Sequence, residues 1–336
     1  MKTWQFHRKG HHMKSLAMIL CLIISLISLA EDLPLTATNP IQNLTSGESP
    51  NAASEACKSE THLRFVWETP PSFRTPEAVL YDPQRDVLYV SNYNVLGGFT
   101  SSGDRSPNEF ISRVSTDGQI LELEWIQGLI SPTGMDIYRD KLYVVERGAL
   151  VEIDIESAKI VNRYEITGSL FTNDVVFDSN GIGYISDNNQ NATITIYRFI
   201  DGKIEPWQHR NQIYRANGLC LYEGQLLGSD YNNPYLQGVD LAIGQLKDVA
   251  YTSPAGVLFD GLAQINEHVL LGSDWAGQVY LLYPPDVSKQ ILDVSQLTPV
   301  SGSRVNSADF GYIPSKKMIV IPTFMDNRLI AYELLE

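Results

Sequence analysis

From Leu63 onward the chain is a succession of short apolar runs with a two-residue period, broken by Gly, Asn, Asp and Pro, with hardly any segment of helical period. That pattern predicts an all-β protein. Six of the runs are versions of one hairpin: Ala78 to Asn92, Gly134 to Glu146, Asp174 to Asp187, Gly218 to Asp230, Gly261 to Asp274 and Ala308 to Thr323. Their starts lie about 40 to 56 residues apart, the spacing of four-stranded propeller blades. Further strands follow each hairpin, such as Thr193 to Phe199 and Lys203 to Trp207 in the third unit. The expectation is therefore a six-bladed β-propeller over residues 61–336, whose radial packing leaves only short edges. The sixth unit runs out after Arg328 to Glu333, so the early strand Leu63 to Trp67 is expected to complete it and close the ring. A pair of β-sandwiches is the competing architecture, but it gives no reason for six similar hairpins.

The residues ahead of the hairpins carry the candidate chemistry. In a propeller the first strand of each blade lines the central channel, so the residues that open these strands converge on one mouth. Read in the hairpin register they are Glu77, Thr133, Asn173, Asn217, Asp260 and Ser307. Four bear oxygen donors suited to a hard cation: the carboxylates of Glu77 and Asp260 and the amides of Asn173 and Asn217. Ca²⁺, which takes six to eight oxygen ligands, suits that set with water filling the rest. Mg²⁺ or Mn²⁺ also fits, whereas Zn²⁺ prefers imidazole and thiolate. Asn217-Gly218 and Asp260-Gly261 have a plainer reading as turn pairs. Pro76-Glu77-Ala78 and Asn173-Asp174 are not turn pairs of that kind.

The set Glu77, Asn173-Asp174, Asn217-Gly218 and Asp260-Gly261, each at the head of a blade, resembles the gluconolactonase, senescence-marker-protein and luciferin-regenerating-enzyme family. Paraoxonases and diisopropyl fluorophosphatase are its wider relatives. The resemblance covers roughly Leu63 to Glu336. It implies a six-bladed propeller with a divalent ion in the channel and hydrolysis of lactones or related esters. By the same resemblance Glu77, Asn217 and Asp260 match metal ligands, Asn173 matches the amide that contacts the metal or the substrate, and Asp260 matches the base or nucleophile. Two departures stand out. Glu77 is followed by Ala78 where the family usually has Gly, and the paraoxonase His pair has no counterpart. His62 precedes the first blade, His209 is expected in a connection, and His268 is expected in a turn facing away from the mouth. The alternative function is a non-catalytic propeller that binds a ligand or protein and holds a structural calcium ion.

Composition bounds these readings. The chain has 336 residues, 43% of them hydrophobic and 19% charged, enough for a well-filled core. Lys14 followed by the apolar run Leu16 to Leu29 and the exit Ser28-Leu29-Ala30 has the form of a signal peptide over 1–30, cleaved after Ala30. That implies a secreted or periplasmic protein; an uncleaved anchor is the alternative. Residues 31–60, rich in Ser, Thr, Asn, Pro and Glu without a period, read as a disordered spacer. The formal charge is -14, and -18 once 1–30 is removed, because that segment carries four basic residues and no acidic one. Such acidity argues against nucleic acid or an anionic membrane as partner and suits cation binding. Cys57 and Cys220 are too few for a disulfide framework, and Cys220 reads as a buried small hydrophobe. The Gly- and Ser-rich insert Gly97 to Asn108 reads as a lid or a disordered loop, and Asn43 and Asn191 stand in sequons.

Overall fold

The computed structural model describes residues 63–93, 108–169, 171–209, 213–229, 235–247, 251–252, 257, 259–284, 287–302 and 304–335. These belong to one compact unit, Glu60–Gly98 with Arg105–Glu336. The expected signal peptide, spacer, Cys57, His62, Asn43 and most of the 97–108 insert lie outside the described residues.

The strand β1 (Leu63–Glu68) precedes the first blade, which consists of β2 (Pro76–Asp82), β3 (Val87–Asn92), β4 (Glu109–Ser115) and β5 (Ile120–Leu129). The second blade holds β6 (Met135–Tyr138), β7 (Lys141–Glu146), β8 (Ala149–Asp154) and β9 (Lys159–Glu165). The third holds β10 (Thr172–Phe177), β11 (Gly183–Asp187), β12 (Ile194–Ile200) and β13 (Lys203–His209). The fourth holds β14 (Leu219–Tyr222), β15 (Gln225–Ser229), β16 (Tyr235–Asp240) and β17 (Tyr251–Thr252). The fifth holds β18 (Phe259–Asn266), β19 (Val269–Asp274), β20 (Gln278–Tyr283) and β21 (Val287–Asp293). The sixth is built from β22 (Gly311–Ile313), β23 (Met318–Thr323) and β24 (Arg328–Leu334). Each of the first five sheets runs in chain order, and the sixth has the order β1-β24-β23-β22. The protein is thus a six-bladed β-propeller whose N-terminal strand closes the ring.

Burial explains why the sequence alternates where it does. Second strands are packed on both faces, so β3 (VLYVSN) and β23 (MIVIPT) are buried at every position. Outer strands show water one face, and β9 and β13 alternate exposed with half-buried residues along most of their length. Six apolar clusters fill the spaces between neighbouring blades, for example Tyr89, Ile111 and Trp125 of the first against Leu142, Val144 and Val151 of the second. His209 does not lie in a connection, as expected, but ends β13.

Closure rests on more than strand pairing. Trp67 of β1 packs against the cluster between the sixth and first blades and donates its indole N–H to the Thr116 carbonyl at 3.2 Å. At the other end of the contact, buried Arg328 of β24 meets Glu68 of β1 at 2.6 Å and the fully buried Asp326 at 2.5 Å. Asp326 also accepts the backbone N–H groups of Val300 and Ser301. Removing the guanidinium leaves a buried carboxylate without its countercharge. Arg328→Ala is therefore expected to cost about 3–5 kcal/mol of unfolding free energy. Glu68→Gln, at the half-exposed end of the same pair, should cost less than about 1 kcal/mol. Urea denaturation of the two variants checks the ranking.

Candidate functional site

Strand register shows how the mouth residues come to share one ring. Pro76 pairs with Asn92, Thr172 with Asp187 and Phe259 with Asp274, and in each blade the pairing then slips before resuming at Val79, Val175 and Leu262. Glu77, Asn173 and Asp260 follow the paired residue at the same kind of β-bulge, a device that re-aims a side chain out of the ladder. The register also makes Asn217 and Thr133 their equivalents, because Leu219 pairs with Gly228 and Met135 with Val144 as Val175 does with Ile185. The bulge frees the next backbone N–H, and a serine on the second strand takes it. Ser91 Oγ accepts from Ala78 and Ser186 Oγ from Asp174, both at 2.9 Å, and Ser273 Oγ accepts from Gly261 at 3.2 Å.

The sixth blade departs from the expected register by one residue. Gly311 pairs with Val320, which makes Ala308, not Ser307, the equivalent of Glu77. Hydrogen bonding agrees: the Asp309 N–H donates to the Glu77 carbonyl at 2.9 Å, as the Gly134 N–H does to the Asn173 carbonyl at 2.8 Å. Ser307 lies one residue further out and donates its hydroxyl to the Asp274 carbonyl. Its pairing with Ala308 imitates the oxygen-then-small-residue motif, which is what misplaces it in sequence.

Immediately inside the mouth lies a second ring: Ala78, Gly134, Asp174, Gly218, Gly261 and Asp309. Space dictates its small members. A Cβ on Gly134 would come within 2.3 Å of Asp174 Oδ1, on Gly218 within 2.0 Å of the Asp260 carbonyl, and on Gly261 within 2.5 Å of Asp309 Oδ1. Asp174 and Asp309 are the exceptions, and neither was expected as a site residue. Asp174 clips two blades together, accepting the N–H of Val175 at 2.7 Å and of Leu219 at 2.8 Å. Asp136 does the same deeper in the channel wall, through Ile137 at 2.7 Å and Phe177 at 2.6 Å.

The consequence is a crowd of carboxyl groups. Burial first, then the charges of Asp260, Asp309 and Asp174, push Glu77 well above the ordinary carboxylate range. Asp309 is pushed well up by burial and by Asp174 and Asp260. Burial raises Asp174 to about 7 against the pull of its two backbone N–H donors, and raises Asp260 to about 6 against the Asn217 amide. Asp136 rises to about 6 by burial alone, opposed by its N–H donors. Among the described residues, no basic side chain is a cause of any of these shifts.

Of the expected ligands, Asn217 and Asp260 are in direct contact, Asn217 Nδ2 donating to Asp260 Oδ1 at 2.7 Å. Glu77 is close enough to feel the Asp260 charge, and Asn173 is fixed in the ring by its backbone carbonyl, which accepts the Gly134 N–H. Two oxygens are buried without a hydrogen-bond partner: Glu77 Oε2 and Asn217 Oδ1. Such orphans are expensive in an interior and fit the donor set of a hard cation. No group of three or more Asp, Glu, His or Cys side chains is gathered tightly enough to hold an ion among the described residues, so the amides are needed for a full set. His268 is exposed in the turn between β18 and β19, away from the mouth. Cys220, a free buried thiol pushed up to about 12 by burial, is inert.

Fold and mouth together define a six-bladed propeller whose channel opens on buried, uncompensated carboxyl groups. No protein-family model matches the chain, and no curated protein matches it. Among solved structures it is similar to a chain in a crystal structure of a nidogen/laminin complex, with a TM-score of 0.49 and 16% identity over 62% of this chain and 75% of that one. A likeness so distant says nothing of function.

The carboxyl crowd fixes the sign of a pH effect. Each group has a folded pKa above its unfolded value near 4, so without a cation the folded state binds more protons and stability falls as pH rises from about 4 to about 7. Chelator-treated protein is expected to lose melting temperature across that window, and millimolar Ca²⁺ to restore most of it at pH 7. Glu77→Gln should flatten the chelated profile and abolish the Ca²⁺ response. A chelated profile that rises with pH would refute the crowding.

Proposed function

We propose that the mouth holds a divalent cation, Ca²⁺ before Mg²⁺ or Mn²⁺, and that the protein is an exported hydrolase of lactones or esters. The observation that carries the reading is the pair of orphaned oxygens, Glu77 Oε2 and Asn217 Oδ1, set among carboxyl groups with no basic partner among the described residues. Glu77, Asn173, Asn217 and Asp260 are the residues that would hold the ion. A cation bound there supplies a Lewis acid that polarises the substrate carbonyl.

The side chains supply the rest. Asn217 holds Asp260 Oδ1, which orients the carboxylate and leaves Oδ2 for a water molecule. Burial pushes Asp260 up in the empty mouth and a bound cation would pull it back down, so Asp260 would act as base through the oxygen that is not on the ion. Oδ2 takes a proton from the water as its oxygen adds to the carbonyl carbon. The carbon–oxygen bond to the leaving alkoxide then breaks, and the proton held on Asp260 passes to that alkoxide. Asn173, the amide of the ring nearest this pair in role, orients the substrate.

A panel of γ- and δ-lactones and aryl esters, assayed with and without chelator, tests the reading. Turnover that is lost with chelator and regained with Ca²⁺ is expected, and Asp260→Asn should lower kcat by about 10²- to 10⁴-fold, the usual contribution of a general base. Elemental analysis should find one ion per chain in the wild type and none in Glu77→Gln. Bound ion without turnover of any substrate would instead favour a propeller that binds a ligand or protein around a structural ion.

A further inference from the structure

Beside the acidic mouth stands a wall of opposite character. Tyr93, Trp275 and Phe324 each follow directly on a second strand, after Asn92, Asp274 and Thr323, at the end of the sheet where Glu77 and Asp260 sit. Backbone bonds tie them to the mouth: the Tyr93 N–H donates to the Thr75 carbonyl at 3.0 Å, two residues from Glu77. Asn306 Nδ2 donates to the Trp275 carbonyl at 2.8 Å, next to the residue that pairs with Phe259. The three rings form one series across the first, sixth and fifth blades. Phe324 meets Trp275 edge-on at 4.6 Å between centroids and Tyr93 at 6.1 Å. Phe324 is buried, whereas Trp275 is 37% exposed, a large aromatic left open at the rim.

The guanidinium of Arg304 lies 5.9 Å from the Trp275 ring centroid and is solvent-exposed. No carboxylate pairs with it among the described residues, although the chain carries 39 acidic side chains against 25 Lys and Arg. Arg304, in the connection between β21 and β22, contrasts in this with Arg328 of β24, which spends its charge on Glu68 and Asp326. A cation held on an aromatic face with its N–H donors unspent is a receptor for a planar anion, since guanidinium and carboxylate match in geometry. Nearby, Asn306 Oδ1 is buried without a partner.

We propose that Trp275, Phe324, Tyr93 and Arg304 form a recognition subsite for an aromatic ring bearing a carboxylate. Exposed Trp275 takes the aromatic face by stacking, with buried Phe324 bracing it edge-on and Tyr93 beyond, and Arg304 takes the carboxylate, while the mouth is left for the reacting ester or lactone. Arg304 places a positive charge on this wall, so the subsite favours an anionic ligand over its neutral isostere. The subsite rests on the hydrolase reading for its use but not for its existence.

The test separates the two. Saturation-transfer NMR with benzoate and its neutral isostere benzamide reads binding without chemistry. Benzoate is expected to bind the wild type more tightly than benzamide, and Arg304→Gln to weaken benzoate about tenfold, the scale of one charged hydrogen bond, while leaving benzamide within twofold. Trp275→Ala should weaken both. With 4-acetoxybenzoate and phenyl acetate as substrates, Arg304→Gln should raise KM about tenfold for the anionic ester alone, with kcat unchanged. Benzoate binding weakened in both variants, with neither these esters nor any member of the lactone and ester panel hydrolysed, keeps the subsite and removes the hydrolase. Hydrolysis with a KM for 4-acetoxybenzoate indifferent to Arg304→Gln, or equal binding of benzoate and benzamide, overturns the subsite and leaves the hydrolase standing.

Discussion

The closeness of the six inner strands is the constraint on which the rest of the structure depends. At the second ring of the channel a single Cβ on Gly218 would fall 2.0 Å from the Asp260 carbonyl oxygen, far inside contact distance. Backbones packed to that limit leave no room for a Cβ at Gly134, Gly218 and Gly261, and the side chains of the ring outside turn into the channel mouth. The β-bulges at Glu77, Asn173 and Asp260 make that turn, and Ser91, Ser186 and Ser273 absorb the N–H groups it strands. Convergence of oxygen donors is thus a result of how tightly the ring closes, and closure in turn depends on β1, Trp67 and the Arg328 network at the seam.

What converges is costly. Glu77, Asp174, Asp260 and Asp309 all have their carboxyl groups pushed upward by burial, and the charges of neighbouring carboxylates push in the same direction. Glu77 Oε2 and Asn217 Oδ1 go without hydrogen-bond partners. Folding of the apolar wedges between blades has to carry this cost unless a cation offsets it. A site that destabilises the empty protein and is relieved on binding is a common trade between stability and function. It supports the proposal of a divalent ion more directly than any likeness to another protein does.

The sequence displayed the architecture because a propeller repeats one hairpin with strong local signals: a small residue that permits close approach, an apolar strand, a turn, and a Ser or Asp at the second strand's end. Glu77, Asn173, Asn217 and Asp260 were readable for the same reason, each standing just ahead of the small or short residue. Asp174 and Asp309 were not, because they occupy the place that this signal reserves for Gly and Ala, and a residue that violates a motif is not found by searching for it. Blade six was misread by one position because Ser307-Ala308 copies the motif, and only the pairing of Gly311 with Val320 corrects it. The aromatic wall has no signal along the chain, because Tyr93, Trp275, Phe324 and Arg304 come together only through contacts between distant segments.

The central claim is that the mouth is a cation site, and a crystal grown in millimolar Ca²⁺ at neutral pH tests it most directly. Anomalous scattering should show one strong peak between Glu77 and Asp260, with oxygens of Glu77, Asn173, Asn217 and Asp260 at about 2.3–2.6 Å. A mouth holding only water, with Glu77 and Asp260 bonded to each other through a shared proton, would contradict it.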